Sequence, residues 1–190
     1  MRLSAIGVPN GFLQARGAGQ GGGGQKQDTK SESNTTGSTC PAVPEAPPGV
    51  SINDNIKTAI RHRPIGIGTA YADAKWFQSQ VDYGGPWDYK SLGSGSKKYA
   101  PFGNFHYGAT GAAMGFPENT LLRMAGWAQQ RNKDEMGNGD GGDAGSKFSI
   151  ITDMLLGREG GTPPYGDFKE DQELIRQGIQ YFKQGCHKPK

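Results

Sequence analysis

The chain has 190 residues, a formal net charge of +3 and a large share of backbone-breaking residues, with 32 Gly and 12 Pro. Such an excess of glycine and proline excludes a single, uniformly packed globule. No apolar run approaches the about 18 residues of a membrane-spanning helix, and the basic residues are interspersed with acidic ones. The composition therefore permits nucleic-acid binding but does not by itself indicate it.

The aromatic residues divide the chain into two parts, because Phe12 is the only one before residue 48. Residues 1–47 are rich in Gly, Ser and Pro, and their composition predicts a disordered linker. Residues 48–190 are long enough to bury a core and predict one domain. The first residues predict no secretory signal, since Pro9 interrupts the short apolar stretch.

Two cysteines flank the predicted domain. Cys40 precedes it and Cys186 lies close to the C-terminus, and the two ends of a domain often lie near each other. A disulfide between them would indicate an oxidising compartment, whereas two free thiols would fit a reducing cytosol. The sequence leaves both alternatives open.

Hydrophobic periodicity and capping residues predict five helices in chain order. Their positions are Ser51 to Pro64, residues 69–81, a helix beginning at Pro117, Ser146 to Gly157, and a helix with Asp167 as its N-cap. Tyr71 and Phe77 are expected on the buried face of the second helix. Phe148, Ile151 and Leu155 are expected on that of the fourth. No run alternates as a strand would, so the sequence predicts a compact, mainly α domain with an irregular Gly- and aromatic-rich central segment.

This central segment, residues 84–116, is denser in polar, aromatic and glycine residues than a solvent loop or a core strand requires. Gly108, Gly111 and Gly115 would share one face if the segment were helical, which indicates close backbone packing. A phosphate-binding loop is the sharper alternative, but neither P-loop spacing nor a preceding strand supports it. The segment is the best candidate for a functional site.

Four motifs resemble the polymorphic toxin type 44 family over about residues 48–186. They are GPWDYK at Gly85–Lys90, FGNFHYGATGAA at Phe102–Ala113, AGWAQ at Ala125–Gln129 and GDFKEDQELIRQGIQYF at Gly166–Phe182. The resemblance implies the C-terminal effector domain of a secreted bacterial toxin, used in interbacterial competition and paired with a cognate immunity protein. It also implies a nuclease, chiefly an RNase. Members of the family can carry asparagine at the position of His106, which counts against an indispensable base there.

The predicted catalytic residues are Asp88, His106, Lys90 and Lys75. The imidazole of His106 titrates near neutrality and could act as the base of a metal-independent RNase, while a lysine holds the phosphate. Asp88 lies between aromatic residues, a setting in which desolvation favours a protonated general acid. Each also has a structural interpretation: His106 could be hydrogen-bonded inside an aromatic cluster, and Asp88 could stabilise a turn.

The predicted substrate-binding residues would stack on the substrate or orient it. They are Trp87, Tyr89, Asn104, Tyr107 and Thr110. The spacing of acidic, histidine and cysteine residues matches no metal-binding pattern, so we expect neither a metal nor a cofactor.

Three functions remain open at this point. The first is an RNase toxin that acts in the target cytoplasm. The second is a peptidoglycan glycan hydrolase that acts in the periplasm, in which Asp88 is the acid and Asp82, Asp167 or Asp171 supplies the second carboxylate. A disulfide would favour this second function. The third is a non-enzymatic binding module, for which substitution of the predicted catalytic residues would leave toxicity unchanged.

Overall fold

The structure of the chain is a computed structural model that describes residues 39–64, 67–90 and 97–189. The contacts divide the chain into two units, Met1–Thr39 and Cys40–Lys190. Residues 1–38, which contain most of the predicted linker, lie outside the described residues. The described fold is therefore that of the second unit.

Helices build this unit, and no strand occurs within the described residues, which confirms the predicted mainly α fold. The helices are α1 (Ile52–Arg61), α2 (Ile67–Val81), α3 (Ala100–Met114), α4 (Glu118–Arg131), α5 (Lys133–Met136), α6 (Lys147–Leu155) and α7 (Lys169–Lys183). One turn of 3-10 helix, Lys97–Tyr99, precedes α3. None of the helices described is long and apolar enough to cross a membrane.

Helix α3 lies at the centre of the core, where it packs along α7 and against α1. Glycine allows the backbones of α3 and α7 to touch. A Cβ atom at Gly108 would overlap the carbonyl oxygen of Ile175, and a Cβ atom at Gly178 would overlap that of Phe105. The close backbone packing predicted for the small residues is thus confirmed at Gly108.

The central segment is irregular only in part, because residues Ala100–Met114 form helix α3, which the five predicted helices did not include. This helix has proline in its first turn and ends at Gly115, whose φ is 92°. Its buried residues lie on nearly every side, so the sequence shows no apolar stripe with the period of an amphipathic helix.

Two predicted helix faces differ from the observed ones. Tyr71 on α2 is 78% exposed rather than buried, whereas Phe77 on the same helix is 5% exposed, as predicted. On α6, Phe148, Ile151 and Leu155 are exposed, and Ile150 is the buried residue instead. Periodicity identified both helices, but it placed only part of the buried face of α2 and failed to place that of α6.

Asp167 is not the N-cap of the last helix, as the sequence predicted. Phe168 occupies that position, and α7 begins at Lys169. The Asp167 carboxylate is turned inward instead, where it accepts hydrogen bonds from the backbone N–H of Phe168 at 2.9 Å and from Nε2 of Gln172 at 2.8 Å.

A disulfide joins the two ends of the unit. It links Cys40 to Cys186, whose Cα atoms lie 5.8 Å apart. The segment after Cys40 also contacts the helical part, since Glu45 pairs with Lys98 at 2.6 Å and Pro47 is buried. Of the two alternatives for the cysteines, the structure therefore has the one that persists in an oxidising compartment.

Candidate active site

Lys90 meets three polar side chains from the start of α7, and we call the four residues the carboxylate cluster: Lys90, Asp167, Asp171 and Gln172. Nζ of Lys90 lies 3.0 Å from Oδ2 of Asp171. Nε2 of Gln172 donates to Asp167 and also to the carbonyl oxygen of Leu122, at 3.1 Å. The side chains of Lys90 and Asp171 are 31% and 23% exposed, whereas Asp167 is only 2% exposed. The cluster thus combines an accessible ion pair with a buried carboxyl group.

Burial changes the acid–base behaviour of Asp167. Desolvation raises the pKa of Asp167, against the hydrogen bond from Gln172 and the positive charge of Lys90, and the charge of Asp171 adds to the rise. Burial also raises the pKa of Tyr107, whose hydroxyl group donates to a backbone oxygen at 3.1 Å. Asp167 can therefore keep a proton at a pH at which an exposed carboxyl group is ionised.

His106 is fully buried on α3, inside a group of side chains that we call the histidine cage: Asn55, Trp87, Tyr89 and Phe102. Its ring centroid lies 5.1 Å from that of Trp87 and 4.9 Å from that of Tyr89. Desolvation lowers the pKa of His106 to about 3, so the imidazole is neutral near pH 7. In this conformation it cannot touch a substrate, and a role as base would require the cage to open.

Of the predicted substrate-binding aromatics, Tyr107 is half-buried and the other two are interior residues. Trp87 and Tyr89 are 9% and 5% exposed, so neither offers a free ring face on which a base or a sugar could stack. Thr110 is fully buried, and its hydroxyl group donates to the carbonyl oxygen of His106 at 2.7 Å. Their contacts in this structure stabilise the core around α3.

The remaining predicted residues lie in different settings. Asp88 accepts a hydrogen bond from the backbone N–H of Gly84 at 2.8 Å, within its own turn. Lys75 is exposed on α2. Asn104 is 5% exposed on α3, and its Nδ2 has no hydrogen-bond partner among the described residues. Lys90 is the predicted catalytic residue that the structure brings into the carboxylate cluster.

Three residues of these sites were not among the predicted functional residues: Gln172, Asn55 and Phe102. Gln172 appeared as an ordinary first-turn residue of the last helix, and Asn55 belonged to an amphipathic helix without any motif. Only their tertiary contacts distinguish them. In the part of the chain that the structure describes, no three His, Cys, Asp or Glu side chains are grouped so as to hold a metal ion.

Comparison with known families decides the identity of the chain. The model of the family described as bacterial toxin 44 matches residues 75–184, more than half of the chain. The chain belongs to the bacterial toxin 44 family. This confirms the resemblance and makes the protein one that carries a bacterial toxin domain. The matched range contains every member of the carboxylate cluster. No curated protein and no solved structure matches the chain.

Proposed function

We propose that this toxin domain is a glycan hydrolase that cleaves peptidoglycan in an oxidising compartment, the periplasm of a target bacterium. The observation that carries the proposal is the pairing of two carboxyl groups with different environments in the carboxylate cluster. Glycosidases need one carboxylic acid to protonate the leaving oxygen and one carboxylate to act as base or nucleophile. Environments that separate the protonation of two neighbouring groups are typical of such acid–base pairs.

The contacts within the cluster suggest which group has which role. Asp167, with its raised pKa, would be the general acid; because it is only 2% exposed, the residues around it would have to move to admit the leaving oxygen. Asp171 would be the carboxylate, because it forms the ion pair with Lys90 and is more exposed. Lys90 would hold Asp171 in place through their 3.0 Å contact. This assignment moves the acid from Asp88, the first candidate from the sequence, to a pair that the fold brings together.

The disulfide supports the compartment. A disulfide between Cys40 and Cys186 persists where the surroundings are oxidising and is reduced in the bacterial cytoplasm. Outside the cytoplasm, the domain would therefore keep its two ends joined by the disulfide while it acts on its substrate. The toxin would be delivered to a target bacterium, and we expect a cognate immunity protein to protect the producing cell.

The Lys90–Asp171 ion pair also favours a second candidate, a metal-independent RNase that acts in the target cytoplasm. A lysine could bind the phosphate while a neighbouring carboxylate removes the proton of the 2′-hydroxyl group. In that case Asp171 would replace the buried His106 as the base.

One set of variants tests both candidates. The full chain, with and without an export signal, is expressed in a bacterium, and the purified protein is incubated with peptidoglycan sacculi. We expect toxicity only after export, and a loss of about a hundredfold or more in glycan release for Asp171→Asn and Asp167→Asn. Glu173→Gln, which removes an exposed carboxylate from the same helix, is the matched control and should retain full activity.

The other outcomes separate the alternatives. Toxicity in the cytoplasm together with cleaved ribosomal or transfer RNA would replace the glycan hydrolase by the RNase. Full toxicity of Asp171→Asn in both compartments would reject both enzymatic functions and favour a binding module.

A further inference from the structure

Asn55 connects helix α1 to the segment that carries Lys90. Its Nδ2 atom donates to the hydroxyl oxygen of Tyr89 at 2.9 Å and lies 3.0 Å from Nε2 of His106. With the amide placed in this way, Nε2 accepts and the imidazole proton is on Nδ1. One amide group therefore uses both of its hydrogens to fix two side chains of the histidine cage.

Residues 87–90 belong to neither a helix nor a strand. Turn hydrogen bonds hold their backbone, among them one from the N–H of Trp87 to the carbonyl oxygen of Gln80 at 2.8 Å, and side-chain contacts fix their rings. Two alternate residues of this short segment, Trp87 and Tyr89, place their rings edge-on against His106. Lys90 follows directly and packs against Gly103 of α3, where a Cβ atom would lie 2.9 Å from the lysine Cγ. The position of Lys90 is thus set by its own contact with α3 and by the histidine cage before it.

The histidine cage contains polar atoms that its packing does not require. Nδ1 of His106 is buried and has no partner among the described residues. A buried polar group without a partner destabilises the folded state, so an apolar side chain of similar shape would suit the core better. This imidazole and Asn55 therefore contribute orientation rather than stability, since hydrogen bonds fix a position that apolar contacts leave variable.

We propose that Asn55 is a positioning residue of the carboxylate cluster, which acts through His106 and Tyr89 to hold Lys90 on Asp171. This inference rests on the proposed function, since it assigns Asn55 a role in the same reaction. Asn55 contacts neither carboxyl group in the described structure, so its effect would be indirect. When the bond to Tyr89 is lost, residues 87–90 shift and the 3.0 Å contact between Lys90 and Asp171 opens.

The test compares Asn55→Leu with Asn53→Leu. Asn53 is also on α1 and accepts a hydrogen bond from the hydroxyl group of Tyr181 at 2.9 Å, but it takes no part in the cage. Each variant thus removes one Asn–Tyr hydrogen bond from the same helix, donated by the amide in one case and by the tyrosine hydroxyl group in the other. Carbon-13 NMR titration of the Asp carboxyl groups in the full chain measures the electrostatic effect of Lys90 without any substrate. Sacculus digestion then gives kcat and KM.

We expect Asn55→Leu to raise the titration midpoint of Asp167, as Lys90→Met does, since the first moves the positive charge of Lys90 away from Asp167 and the second deletes it. The value of kcat should fall roughly tenfold to a hundredfold with a small change in KM, as for a misplaced catalytic group. The pH optimum should move upward. Asn53→Leu should change neither the titration nor kcat.

His106→Gln keeps the proposal testable if Asn55→Leu does not fold. The Oε1 atom of glutamine can take the place of Nε2 and accept from Asn55, so this variant should retain the wild-type titration and at least half of the wild-type kcat, as expected for a preserved hydrogen bond. His106→Leu should behave like Asn55→Leu.

An Asp167 titration in Asn55→Leu that coincides with that of Asn53→Leu would overturn the positioning role. The same holds if His106→Gln is as inactive as His106→Leu. Failure of the proposed function would look different, because the wild-type chain itself would then release no glycan from sacculi while the titration still reported the position of Lys90.

Discussion

At the scale of single residues, His106 illustrates the difference between chemical type and environment. Its unperturbed pKa made it a natural candidate for a base, but Trp87, Tyr89 and Phe102 surround it on α3. Desolvation lowers the pKa of His106 to about 3, so the buried ring stays neutral where an exposed histidine is charged. The consequence is a pH dependence of stability.

We predict that this histidine destabilises the folded chain in acid. Between its folded pKa of about 3 and its unfolded value of 6.5, the unfolded chain binds a proton that the folded chain does not. The free energy of unfolding therefore falls as the pH is lowered through this window, by up to about 1.4 kcal/mol per pH unit. Urea unfolding of wild type and His106→Gln from pH 4 to pH 7 measures it.

The comparison with His106→Gln isolates this effect. The raised pKa of Asp167 acts in the opposite direction, since the folded state then binds the extra proton, but both proteins share it. Wild type should lose stability relative to the variant below pH 6.5. A stability difference that stays constant from pH 4 to pH 7 would contradict the prediction.

The difference between chemical type and environment also explains which site residues the sequence could identify. Lys90 and Asp171 are charged residues in conspicuous motifs, and Asp171 was among the possible partner carboxylates. Their contact joins positions 81 residues apart, so no spacing rule could pair them. Asn55 had no signal at all, because a polar residue on an amphipathic helix is expected to face solvent. Tertiary packing turns it inward.

At the scale of helices, the packing of α3 on α7 depends on positions where any side chain would collide with backbone. Sequence reasoning recognised the small residues of α3 but not the helix itself, since a helix buried on most sides lacks an apolar stripe. For α6, in contrast, the sequence predicted the helix but not its buried face. Its stripe predicted the helix correctly, but Phe148 and Leu155 face outward, because local periodicity carries no information on the position of the core.

We predict that Gly178→Ala destabilises the domain far more than the addition of one methyl group would suggest. The new methyl group would overlap the carbonyl oxygen of Phe105, and rigid backbone on both sides leaves no flexible group to move aside. Overpacking of this kind costs about 1–3 kcal/mol, which chemical denaturation can measure. Gln180→Ala, an exposed substitution on the same helix, should remain within about 0.5 kcal/mol of wild type. Equal stability of the two variants would mean that α3 and α7 do not touch at Gly178.

At the scale of the whole molecule, the disulfide connects stability with the place of action. Cys40 and Cys186 are separated by 146 positions, so the bond closes almost the entire described unit into one loop. Such a loop restricts the unfolded chain. In the chain-entropy model this raises the free energy of unfolding by about 5 kcal/mol. A reducing cytoplasm would remove this stabilisation, and an oxidising periplasm would preserve it.

We therefore predict that a reducing agent lowers the thermal midpoint of the wild-type chain by roughly 10 to 20 °C, the shift that corresponds to such a loss in a chain of this length. The helical circular dichroism signal at 222 nm would follow the unfolding transition. The variant with both Cys40→Ser and Cys186→Ser should start at the reduced midpoint and show no response to the reductant, because the bond is absent under both conditions. Toxicity after export should fall in this variant in proportion to the fraction unfolded at the growth temperature. An unchanged midpoint of wild type under reducing conditions would show that the helical packing alone sets the stability, and the disulfide would then carry no information about the compartment.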